Sequence, residues 1–121
     1  MKKVVPMIHV PDVRATVEWY RELGFTVVNL GTEDPGDDLV FAMLALGSSE
    51  VMFSAGGARS AQPRREEDLY VYTEDAVDVH RRLAGRVEVV EELHDTFYGM
   101  REFIIRDLNR FWITFGQPIP R

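Results

Sequence analysis

Tyr98-Gly-Met-Arg-Glu-Phe-Ile-Ile-Arg-Asp-Leu-Asn-Arg-Phe-Trp-Ile-Thr-Phe-Gly116 is the stretch that decides the fold. It reads as two amphipathic strands joined by a tight turn over Asp107–Arg110. Side chains alternate along a strand, so Trp112 and Thr114 face one side while Phe111, Ile113 and Phe115 face the other. On the preceding strand Tyr98, Met100, Glu102 and Ile104 share a face. A tyrosine and a carboxylate on one strand face, near a tryptophan on the next, describe the wall of a cleft.

Outward from this hairpin, the chain divides into two halves of similar pattern. Thr16-Val17-Glu18 with Arg21-Glu22-Leu23 matches Ala76-Val77-Asp78 with Arg81-Arg82-Leu83 at an offset of about 60 residues, an internal repeat. Each half opens with a short apolar strand, Val4–Val10 or Asp68–Thr73. A helix follows, Asp12–Leu23 or Asp75–Ala84, and three more strands complete the half. Asp12 and Asp75 are suited to cap the first turns, and Gly24 and Gly85 to take the left-handed exits. Val13, Val17, Tyr20 and Leu23 form the first buried stripe; Ala76, Val79, His80 and Leu83 form the second. His80 is thereby expected at a packed or rim position. The domain reading is module one over about 1–55, a linker over 56–67 and module two over about 68–116. The linker's Arg64-Arg65-Glu66-Glu67 run reads as solvated surface, and Gly31–Asp38 as an acidic loop joining two strands.

A chain of 121 residues, 45% hydrophobic and 11% aromatic, is enough for one domain with a real core. The net charge of −6 disfavours nucleic acid, attracts cations and repels phosphates. No apolar run has the length of a membrane span, and no apolar region follows Met1-Lys-Lys to form a secretory signal. There is no cysteine, so disulfide and thiolate chemistry are excluded. A cytoplasmic location is expected. Leu39-Val-Phe-Ala-Met-Leu-Ala-Leu46 is apolar on both faces. One face must pack on a helix and the other needs a sheet, a ligand or a second chain.

The hairpin resembles that of the bleomycin-resistance branch of the glyoxalase/bleomycin-resistance/dioxygenase, or vicinal oxygen chelate, superfamily. The motif is aromatic-Gly-Met-Arg-Glu-Phe, then Arg-Asp, then Phe-Gly. The opening Pro6-Met-Ile-His-Val-Pro-Asp-Val13 and Val17-Glu-Trp-Tyr-Arg-Glu-Leu-Gly-Phe25 is also similar to that family, and Val51–Ser54 and Tyr70–Tyr72 fall where its fourth and fifth strands lie. The resemblance implies an α+β fold of paired βαβββ modules forming a cleft-bearing open barrel, often across a homodimer. Leu108, Asn109 and Arg110 depart from the family's usual Pro, Asp or Asn, and Gly at the last turn. Asn109 is a residue type that tolerates positive φ, so a hairpin can still form.

Many enzymes of the superfamily hold a divalent metal with His, Gln or Glu on the first, fourth, fifth and eighth strands. The resemblance puts Val5, Phe53, Asp68 and Thr114 at those positions. One carboxylate, a hydroxyl and two hydrocarbons make a poor donor set. No metal and no cofactor is therefore expected; convergence of His9, Asp68 and Glu102 is left open. The residues expected to line the cleft are His9, Phe41, Phe53, Tyr70, Tyr72, Tyr98, Glu102 and Trp112. Aromatics with an acid suit a flat, cationic or conjugated ligand. The first reading is non-catalytic sequestration of such a molecule by a homodimer, as in bleomycin-resistance proteins that bind cationic antibiotics. The alternatives are a metal-dependent lyase, isomerase or dioxygenase of the superfamily, and a regulatory domain that holds a metabolite.

Overall fold

The computed structural model describes residues 1–62 and 64–120 and contains two compact units, Met1–Ser60 and a second beginning at Ala61. The first unit runs β1 (Met7–His9), α1 (Val13–Leu23), β2 (Thr26–Gly31), β3 (Phe41–Leu46) and β4 (Ser49–Ser54). The second runs β5 (Asp68–Tyr72), α2 (Ala76–Leu83), β6 (Glu88–Asp95), β7 (Met100–Arg106) and β8 (Trp112–Pro118). Both units are βαβββ. Their sheets are ordered β1-β4-β3-β2 and β5-β8-β7-β6, with the first strand parallel to its neighbour and the other pairs antiparallel. The internal sequence repeat is thus a repeat of topology.

In the first unit, Asp12 Oδ1 accepts the Ala15 amide at 3.0 Å and starts α1. Gly24, at φ 122°, ends it, and its N–H returns to the carbonyls of Tyr20 and Arg21. The buried stripe is Val13, Thr16, Val17 and Tyr20. Thr16 is a member that hydrophobic spacing missed; its hydroxyl donates to the Asp12 carbonyl at 2.8 Å, so burial costs no unpaired donor. Leu23, expected in the stripe, is only half-buried. Tyr20 is fully buried and packs its ring on Phe25 and Phe53 at 5.2 and 4.8 Å. On β3, Ala42 and Leu44 are buried on the helix side, and Phe41, Met43 and Ala45 alternate onto the other face. β1 is shorter than expected because Pro6 has no N–H; it contributes only its carbonyl, to the Met52 amide at 2.9 Å.

The second unit repeats this with different chemistry. Asp75 Oδ1 caps α2 through the Asp78 amide at 2.9 Å, and Gln117 Oε1 on β8 accepts the Ala76 amide at 2.9 Å. The helix covers the sheet face that carries Phe103, Ile105, Ile113 and Phe115, all buried. Phe103 and Phe115 are cross-strand partners with rings stacked at 5.0 Å. His80 lies at the rim of this core, edge-on to Phe103 at 5.1 Å with Nε2 3.0 Å from Glu92 Oε2. No helix among the described residues is long and apolar enough to cross a membrane.

Candidate ligand-binding site

The register of the second sheet sets the site. Across β7 and β8, Glu102 pairs with Gly116, Ile104 with Thr114, and Arg106 with Trp112. On the outer sides, Tyr70 pairs with Thr114, Tyr72 with Gly116, and His94 with Glu102. Paired residues share a face, and this face is the one α2 does not cover. It bears a cavity of about 490 Å³ whose lining includes Asp68, Tyr70, His94, Tyr98, Glu102 and Trp112.

At its centre Glu102 is 4% exposed. Tyr70 donates its hydroxyl to Glu102 Oε2 at 2.5 Å, and Tyr98 donates to Oε1 at 2.6 Å. Each carboxylate oxygen therefore has a phenol donor, which offsets the cost of burying the group. Burial, and next the bond to Glu102, holds the Tyr70 phenol well above the ordinary tyrosine range. For Tyr98 the bond to Glu102 is the largest cause of a shift in the same direction. Both phenols are thus held in the protonated, donating form.

Gly116 permits this arrangement. A Cβ at that position would lie 1.9 Å from the Tyr70 phenol oxygen, so the ring can cross β8 only over a residue without a side chain. Tyr98 lies in the turn between β6 and β7 rather than on a strand, and reaches Glu102 from there. Tyr72 leans on Tyr70 with ring centroids 4.9 Å apart, is 74% exposed, and does not line the cavity.

Trp112 lies at the other end of the cavity. Arg64 sits over its ring, with Cζ 4.3 Å from the centroid, and Arg64 Nη2 donates to Asp68 Oδ2 at 2.7 Å. Arg65 covers Phe111 at 4.6 Å. The expectation that this arginine run is plain solvated surface is corrected: two of its side chains are laid on aromatic rings. Sequence reasoning missed them because a cation–π partner is set by which ring the fold brings underneath, and no spacing encodes that.

The expected residues of the first unit fare differently. Phe41 lies on the sheet face opposite α1, and His9, paired with Ser54 as Phe41 is, shares that face. His9 Nδ1 is 3.2 Å from the Ala55 carbonyl. Phe53 does not line that open face. It is 0% exposed and packs on Tyr20 beneath α1, because alternation puts Val51 and Phe53 on the helix side and Met52 and Ser54 on the other.

The donors at the positions aligned with the superfamily's metal ligands do not fit a metal. Phe53 is core, Asp68 is held by Arg64, and Val5 and Thr114 add a hydrocarbon and a hydroxyl. Among the described residues no group of three or more His, Cys, Asp or Glu is placed to hold an ion.

A family model described as the glyoxalase/bleomycin resistance protein/dioxygenase superfamily matches residues 4–115. Among curated proteins, none matches the chain in sequence. Among solved structures, TioX from Micromonospora sp. ML1 superposes with a TM-score of 0.78 at 21% identity, over 98% of this chain and 100% of that one. A protein of unknown function from Agrobacterium tumefaciens str. C58 gives 0.75 at 24% identity, over 98% and 95%. A bleomycin-binding protein complexed with bleomycin gives 0.67 at 16% identity, over 97% and 98%. At these identities the likeness is one of fold.

Proposed function

The chain belongs to the glyoxalase/bleomycin resistance protein/dioxygenase superfamily, and on that premise we propose that it binds and sequesters a cationic, aromatic or conjugated small molecule without transforming it. The observation that carries this reading is the Tyr70–Glu102–Tyr98 trio in the cavity of the second unit. Both phenol protons are committed to Glu102, so the trio turns acceptors toward a ligand. An amine or other N–H cation satisfies them, whereas an anion meets only oxygen. Of the residues lining the cavity, Asp68, Glu91, Asp95 and Glu102 are acidic and Arg64 is the arginine, which draws cations by charge as well. Tyr70, Tyr98 and Trp112 supply rings for stacking. Sequestration of this kind accords with the bleomycin-binding neighbour, and an antibiotic is the ligand class to try first. His9 and Phe41, on the open face of the first sheet, are proposed as further ligand contacts.

We also propose that the working form is a homodimer. Met7, Met52 and Met43 are successive cross-strand partners on the face that α1 leaves open, with Met7 exposed, and a contiguous apolar row of this kind is covered by a second copy. A lyase, isomerase or dioxygenase reading has less behind it, because the donors at the metal positions do not fit and the tyrosines are held protonated, unsuited as bases.

Titration of bleomycin and simpler polyaromatic amines, followed by intrinsic fluorescence, tests the reading. Wild-type protein is expected to bind at micromolar concentration. Glu102→Gln keeps the shape, removes the charge and weakens a cationic ligand about tenfold, while a neutral analogue is nearly indifferent. Absence of binding by every amine at high micromolar concentration removes sequestration of cations.

A further inference from the structure

Arg64 lines the cavity and lies over one of its rings. Its guanidinium lies over Trp112, with Cζ 4.3 Å from the ring centroid, and one nitrogen donates to Asp68 at 2.7 Å. Two features that would recognise an incoming cation, an indole face and an adjacent carboxylate, are thereby engaged by the chain itself. The other acids of the lining already have partners, Glu91 lying 3.4 Å from His94 Nε2, and Glu102 has only its remaining lone pairs to offer. Glu102 takes two phenols, and Asp95 takes Arg101 at 2.8 and 3.3 Å. The hold on Arg64 is light, since its side chain is 55% exposed and Asp68's is 29% exposed. Exposed ion pairs and exposed cation–π contacts are weak, so a competing cation can displace it.

We propose that Arg64 is a displaceable internal occupant of this seat, and that the ligand's charged group is a planar, delocalised cation of the guanidinium or amidinium type. This rests on the reading of the cavity as a cation-binding site. The seat has a ring below and a carboxylate at its edge. A planar cation can stack on the ring and donate sideways to the carboxylate at once. A compact ammonium is more strongly hydrated and lacks a face to stack. Arg64 is then a specificity-determining residue: it excludes weak cations and yields to those that match its own geometry.

The test uses benzamidinium as the planar probe and cyclohexylammonium as a non-planar cation of similar size, titrated by calorimetry into wild type, Arg64→Ala, and Arg64→Ala with Asp68→Asn. Removing Arg64 is expected to tighten benzamidinium about tenfold, the scale on which an exposed stacking contact and an exposed ion pair resist displacement. Cyclohexylammonium gains little, and the added Asp68→Asn change removes most of the gain. Circular dichroism confirms that each variant is folded. Benzamidinium bound by wild type but no tighter by Arg64→Ala overturns the internal occupant and leaves the cation-binding reading in place. Equal gains for both probes overturn the planar preference. If neither cation binds wild type or Arg64→Ala, this proposal and the cation-binding reading fall together.

Discussion

Glu102 is a buried acid on a sheet face that it shares with Tyr70, Ile104, Trp112 and Thr114. It is tolerable there because two phenols donate to it, and the phenols are placed by quite different means. Tyr70 crosses β8 over Gly116, whereas Tyr98 reaches in from a turn. Holding the Tyr70 proton more tightly in the folded chain than in the unfolded one has a pH consequence. The stabilisation is complete below the ordinary tyrosine value of about 10 and is lost as pH rises from there toward the higher folded value. Thermal melts between about pH 10 and about pH 12 should therefore fall more steeply for wild type than for Tyr70→Phe. At neutral pH the same variant should be less stable by about 1 kcal/mol, from the lost hydrogen bond. Parallel slopes in the alkaline range would mean that Tyr70 does not hold its proton more tightly when folded.

Among the elements, the β7–β8 hairpin has the most unusual turn. The residue with positive φ is Arg110, at 71°, and not Asn109, whose residue type suits that region better. Left-handed backbone costs a residue that carries a Cβ about 1–2 kcal/mol, and something must offset it. Asp107 does so. Its Oδ1 accepts the amides of Asn109 and Phe111, each at 2.8 Å, while its own N–H meets the Phe111 carbonyl at 2.9 Å. Asp107→Ala should lower stability by about 2 kcal/mol, since two buried amides lose their acceptor. Chemical denaturation measures this. A loss below about 0.5 kcal/mol would show that the turn is held by the strands alone. Because the turn leads straight into Trp112, its loosening should also weaken ligand binding.

The whole molecule repeats one topology twice and gives the copies different open faces. The first sheet presents Phe41, Met43 and His9; the second presents Tyr70, Glu102 and Trp112. If the chain works as the proposed homodimer, light scattering at micromolar concentration should return twice the 13.9 kDa chain mass. A value of 13.9 kDa across that range would reject the dimer.

Local chemistry was legible in the sequence wherever it acts over a few residues. The two Asp caps, the Gly24 exit, the β7–β8 alternation and the repeat of βαβββ order all follow from spacing and side-chain type. So does the presence of Tyr70, Tyr98, Glu102 and Trp112 on one face, which needs only the period of a strand and the nearness of a turn. Phe53 was misplaced because β4 is apolar on successive residues, and pattern alone does not say which side of such a strand meets the helix. Arg64 over Trp112, and Gly116 beneath Tyr70, were beyond reach for a further reason. Each depends on parallel pairing of β5 with β8 across some 40 residues of intervening chain, and register between distant strands is decided by packing of the assembled sheet, where one residue of slip would turn every side chain to the opposite face.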